Sequence, residues 1–157
     1  MARVAGDVMR SAFLKAWLLC GLLDALYATG LTLARAGEVG ELWRGVAAGP
    51  FGEAAKTWGA GGAVLGVLVH FAIMAAMAGV ALFLFRRTPL ADANRWLAGT
   101  LYGLALYCVM YGLVLPARFG VPFPNPDKLK LALGLFPHVF FVGIPMALIL
   151  RRPTAPS

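Results

Sequence analysis

The chain reads as an all-α integral membrane protein, a four-helix transmembrane bundle of antiparallel hairpins occupying residues 1–157 as one domain. Two observations carry this reading. The 157 residues are 61% hydrophobic and only 13% charged, whereas soluble domains carry about one quarter charged residues. The apolar residues also collect into four runs, near 12–34, 60–85, 95–115 and 130–150, each close to the ~20 residues that cross a bilayer core of ~30 Å. So little chain lies between them that no separate soluble domain is expected.

The charge pattern gives the orientation. Arg3, Arg10, Lys15, Arg86, Arg87, Arg95, Arg151 and Arg152 flank one side of the runs. On the other side Arg35, Arg44, Lys56, Arg118, Lys128 and Lys130 are largely offset by Glu38, Glu41, Glu53 and Asp127. Excess Lys and Arg mark the cytoplasmic side, so both termini and the 86–95 connection are expected in the cytoplasm of a multi-pass inner-membrane protein. The net charge of +7 is thereby a topology signal with the lipid bilayer as its partner, and no nucleic-acid ligand is expected. The first run is too long for a signal-peptide core, contains Asp24 and lacks a small-x-small cleavage pattern, so it is taken as a span. Cys20 sits in LLC, without the small preceding residue that a lipoprotein signal needs. With Cys108 on another span at a different depth, no disulfide is expected.

Taken in order, span one opens at SAFLKAW, where Lys15 snorkels and Trp17 is expected at the interface. The long first outer connection carries Leu42, Trp43, Val46 and Ala47 at helical spacing, ended by Pro50. This fits either a short interfacial helix closing over the bundle mouth or an irregular loop. Span two is rich in small residues (Gly62, Gly66, Ala72, Ala76, Gly79) and span three has Gly99 and Gly103, spacings that let backbones approach closely in lipid. Spans two and three, joined by RRTPLADANRW, form a hairpin. The second outer connection, with Pro116, Pro122, Pro124 and Pro126, is expected to be rigid and extended.

Ionisable side chains inside a membrane are costly and mark function by default. They are Asp24, His70 and His138. Counted from the cytoplasmic ends at ~1.5 Å per residue, Asp24 lies ~18 Å deep, His70 ~22 Å and His138 ~18 Å, with Tyr107 and Tyr111 at ~16 and ~22 Å. Helical stripes Cys20/Asp24/Tyr27, Gly66/His70/Met74/Met77, Gly103/Tyr107/Tyr111 and Gly134/His138/Phe141 would turn these groups inward. A buried polar layer of Asp24, His70, His138, Tyr107 and Tyr111 is therefore the candidate site.

Four uses of that layer are open. It can fix helix order, as interhelical hydrogen bonds do in lipid, in an accessory or assembly subunit of a larger membrane complex or a homo-oligomer. His70 and His138 can ligate a b-type haem axially, or join Asp24 around a metal ion, with Met74 and Met77 suiting Cu(I). Asp24 and the histidines can relay protons for a small-solute transporter built as an oligomer, with Pro137 and Pro145 freeing carbonyls in span four. An enzyme has the least support, because no HExxH, nucleophile elbow, Cys-x-x-Cys or paired-carboxylate motif is present. Finally, VAAGPFG (46–52), VLVHF (67–71), YGLALYCVMYGLVLP (102–116) and PHVFFVGIPMAL (137–148) resemble a group of small four-span bacterial inner-membrane proteins, the YagU-like group. That resemblance implies four membrane helices with a histidine in spans two and four, and no particular activity.

Overall fold

The computed structural model describes residues 2–91 and 93–151; Arg152 and the side chain of Arg3, both used above in the charge count, lie outside the described part. Helix α1 (Ala2–Ala34) carries span one, with no proline or β-branched run to interrupt it. Its end is closed by the Gly37 N–H on the Thr32 carbonyl, with Ala36 in the left-handed region, a helix-ending turn that glycine usually supplies. Helix α2 (Val39–Phe51) follows, then a 3-10 turn (Glu53–Thr57) and α3 (Gly59–Arg87), which is span two. Span three is α4 (Arg95–Val109), a π-helical turn (Met110–Val114) and α5 (Leu115–Phe119). Span four is α6 (Lys128–Pro137), a second π-helical turn (His138–Gly143) and α7 (Ile144–Leu150). No strand occurs among the described residues.

Four helices, Gly6–Ala34, Gly59–Arg87, Arg95–Phe119 and Lys128–Leu150, are long and apolar enough to cross a membrane. Leu22, Leu26, Val64, Leu68, Phe83, Leu101, Leu113 and Leu129 stand exposed around them, the outer surface expected of a body whose solvent is hydrocarbon. The result is a multi-pass, four-helix membrane architecture.

Backbone-to-backbone packing is concentrated between spans three and four. A Cβ on Gly103 would lie 2.5 Å from the His138 carbonyl oxygen and 2.7 Å from Val139 Cα. One on Gly99 would lie 2.6 Å from Ile144 Cα, and one on Gly143 would meet the Gly99 carbonyl. Only glycine admits this approach, which is where dispersion and packing hold helices together in lipid. Spans two and three meet mainly through side chains: the Tyr102 hydroxyl donates to the Met77 carbonyl at 2.6 Å, and its ring lies edge-on to Phe85 at 5.5 Å.

The half of the bundle nearer the termini is closed. Cys20, Ala78, Ala81, Phe85, Met146, Ala147 and Leu150 have no exposed surface there. Arg86 Nε donates to the Leu150 carbonyl at 2.9 Å, satisfying the open end of α7 from the neighbouring span.

Four expectations change. Trp17 is not an interfacial anchor: its Nε1–H donates to the Phe71 carbonyl at 2.7 Å, and its ring packs on Phe13 and Phe71. The small residues of span two also divide differently. Gly62 and Gly66 receive the 3-10 turn and α2, since a Cβ on Gly62 would lie 2.7 Å from the Ala55 carbonyl oxygen and one on Gly66 would strike the Trp43 carbonyl. Ala72 and Ala76 face outward, and Gly79 has no neighbour within 4 Å. Helix α2 is accordingly a packed element with Trp43, Ala47 and Ala48 buried, rather than a cover resting on the mouth. Its last carbonyls, Ala48 at 3.3 Å and Gly49, accept from the guanidinium of Arg118 at the end of span three. Finally, Pro116 lies inside helical backbone, in the first turn of α5 directly after the π-helical turn. The non-helical connection begins only at Gly120, whose φ of 66° ends the helix.

Candidate functional site

Span four supplies the local reason for the site. Pro137 has no N–H, so the Leu133 carbonyl four residues earlier loses its helical partner. The Tyr27 hydroxyl of α1 donates to that carbonyl at 3.0 Å. The His138 N–H bonds the Leu135 carbonyl instead of that of Gly134, and the freed Gly134 oxygen takes His138 Nδ1 at 2.8 Å. A carbonyl only accepts, so Nδ1 carries the proton and the neutral ring keeps Nε2 as an acceptor. The backbone then runs through the π-helical turn His138–Gly143. Span three makes its own π-helical turn, Met110–Val114, immediately beyond Tyr107, and such turns gather at functional positions.

Tyr107 and Tyr111 stack on each other, centroids 4.6 Å apart at 22°. Both stand edge-on to the His138 ring, at 5.8 and 5.7 Å. Tyr111 leans across Gly134, where a Cβ would lie 2.7 Å from its hydroxyl. Phe123 of the second outer connection folds back onto Tyr107, 6.1 Å away. The Tyr107 hydroxyl is buried with no hydrogen-bond partner among the described residues.

His70 has different surroundings. Its Nε2–H donates to the Gly21 carbonyl at 3.0 Å, and Nδ1 faces Asp24 Oδ2 at 3.9 Å. Trp43 of α2 and Phe71 cover the ring edge-on at 5.5 and 5.3 Å. With Nε2 protonated, a neutral ring turns a lone pair towards the Asp24 carboxyl. An attractive contact therefore needs a proton on either Nδ1 or the carboxyl, with room at 3.9 Å for a bridging water.

Asp24 joins the two histidines. Its side chain is 23% exposed, and it lies within electrostatic reach of both rings. The exposed part opens into a cavity of about 410 Å³ between α1 and α6, within the ~300–1,000 Å³ range of small-molecule sites. Asp24, Tyr111 and His138 line its inner end. Tyr27, Ala28, Leu31, Leu42 and Leu133 line the walls, and Thr32, Arg35, Asn125 and Lys130 lie towards the α2 end of the bundle. His70 is not among the lining residues; Asp24 stands between it and the cavity.

All five residues of the predicted layer thus lie close together, but the layer is not a dry core. It forms one end of a cavity whose lining runs along α1 and α6 to Arg35 and Lys130. As a ligand pair the two histidines differ. His138 presents a free nitrogen, whereas His70 commits Nε2 to Gly21 and Nδ1 to Asp24, so ligation there would require it to leave the carboxylate. Among the described residues no group of three His, Cys, Asp or Glu side chains could hold a metal ion. Cys20 is buried and Cys108 exposed, both as free thiols.

Sequence reasoning missed four contributors. Tyr27 was placed on the Asp24 stripe without a role, although Pro137 fixes which carbonyl is vacated. Trp43 was read as part of a surface stripe. Arg35 and Lys130 were counted only as charges. Comparison with protein-family models, curated proteins and solved structures finds no match for this chain.

Proposed function

We propose that this is a non-enzymatic membrane protein, an accessory or carrier component of the bacterial inner membrane, that takes a small ligand into the cavity between α1 and α6 from the non-cytoplasmic side. The charge asymmetry supports both termini lying in the cytoplasm and α2 lying outside. The observation that carries the ligand reading is the cavity itself: an intramembrane carboxylate, an imidazole nitrogen and a phenol converge at the inner end of an open space. A bundle that used these groups only to fix helix order would close over them, as the other half closes over Phe85 and Met146.

The test is site-directed labelling. In a Cys108→Ala background reconstituted in lipid, Ala28→Cys should react with a water-soluble maleimide, while buried Cys20 remains unlabelled. A residue 28 thiol that is as inert as Cys20 would remove the cavity from the account.

The Asp24–His70 contact favours a second reading, proton-linked carriage. One proton held at that contact, reachable from the cavity only through Asp24, could be exchanged as the ligand enters or leaves. Liposome flux of protons that persists unchanged in Asp24→Asn would remove this version and leave the binding function standing.

A further inference from the structure

We infer that the cavity selects an anionic amphiphile: an acid group held by Arg35 and Lys130, an apolar body along the leucine-lined wall, and a polar end at Tyr111 and His138. This rests on the ligand-binding reading above and names the class of ligand.

Charge around the cavity is distributed unevenly along its length. Arg35 is the last charged group of span one, and its guanidinium makes no hydrogen bond or ion pair among the described residues. Lys130 faces it from α6, and its acidic neighbour Asp127 lies at 3.9 Å. That carboxylate is already committed to the α6 N-terminus, accepting from the N–H groups of Leu129 at 2.9 Å and Lys130 at 3.3 Å. The mouth therefore presents two cations against one carboxylate that is itself a helix cap. The opposing charge, Asp24, lies ~16 Å down α1 from Arg35 at ~1.5 Å per residue, beside His70. The acid group of a ligand is thus drawn to the mouth, where Arg35 and Lys130 stand.

Between these ends the wall is apolar, with Leu31, Leu42 and Leu133. At the inner end the His138 nitrogen left free by the Gly134 bond can accept, and the Tyr111 hydroxyl can donate or accept. A short inorganic anion would leave the wall and the inner end unused. A cationic amphiphile would place its charge beside Arg35.

Such a ligand could be a free organic acid or a membrane lipid. The probe is decanoate, compared with decanol and decyltrimethylammonium, which share the chain and differ in the head. Decanoate should protect Ala28→Cys from maleimide, with decanol at least tenfold weaker and the ammonium compound inactive. Arg35→Gln and Lys130→Gln lie at exposed positions, and each should weaken decanoate binding at least fivefold with no change in melting temperature. Repeating the assay in nanodiscs of phosphatidylglycerol and of phosphatidylcholine identifies the source. Competition by phosphatidylglycerol alone assigns an acidic lipid, and equal decanoate protection in both assigns a free acid. Protection by the ammonium compound equal to that by decanoate, or unchanged affinity in both glutamine variants, overturns the ligand class. Failure of residue 28 to react at all is a different outcome and overturns the cavity.

Discussion

The two histidines both lie within electrostatic reach of Asp24, yet they belong to different kinds of structure. His70 donates Nε2–H to the Gly21 carbonyl, faces Asp24 with Nδ1 at 3.9 Å and is covered by Trp43 and Phe71. His138 bonds only within its own helix, on a backbone altered by Pro137 and a π-helical turn, and its side chain lines a cavity. The difference shows how a small membrane protein separates assembly from access. Interhelical polar contacts go from side chains to carbonyls of other spans, as with Trp17, Tyr27, His70, Arg86 and Tyr102. The irregular backbone of span four begins at the cavity and runs on into the closed half, where Val142 and Gly143 are buried. Non-helical backbone is tolerated at membrane depth only where it is buried or lines a polar space.

The comparison can be broken first at the contact that underlies both regions. Gly103→Val drives a side chain into the His138 carbonyl and Val139, so it should cost about 3 kcal/mol or more or prevent folding. Gly79→Val, with nothing within 4 Å, should change stability by less than about 0.5 kcal/mol; both are measured by unfolding in mixed micelles. His70→Phe comes next. It leaves the Gly21 carbonyl and Asp24 without their partner, at about 2 kcal/mol, whereas His138→Phe should cost about 0.6 kcal/mol while abolishing ligand protection at residue 28. Equal stability losses would place both rings in the same kind of environment. Arg118→Ala releases the end of α2 and should cost about 1 kcal/mol, read as faster amide exchange over residues 39–51 with α7 unchanged. The smallest effect is Tyr27→Phe, about 0.6 kcal/mol, seen as a slightly lower melting temperature with maleimide reactivity at residue 28 retained.

Much of this was legible in the chain. Four apolar runs of membrane length and glycines four apart in span three reappear in the structure, and Asp24, His70, His138 and the two tyrosines lie within reach of one another. The stripe argument also held for Met74, buried beside His70's helix face, and for Gly134 beside Tyr111. What periodicity did not carry was the partner of each small residue. Gly62 and Gly99 follow the same rule of close approach, yet one receives a 3-10 turn and the other a span, and spacing alone is identical for both. Nor can a stripe distinguish a dry layer from the lining of a cavity. That depends on how far α6 stands from α1, which Pro137 and the π-helical turn determine. The proline predicted a vacated carbonyl at Leu133, but not that Tyr27 would fill it.

The most direct test of the division between the two rings uses the fact that the chain has only two histidines. Nitrogen-15 NMR of imidazole-labelled protein in lipid reports which nitrogen of each ring carries the proton when the ring is neutral, and His138→Phe assigns the signals. The structure predicts opposite tautomers: His70 protonated at Nε2, and His138 protonated at Nδ1 with an Nε2 signal that shifts on adding decanoate. Two rings in the same tautomer, or a decanoate shift confined to His70, would contradict the account.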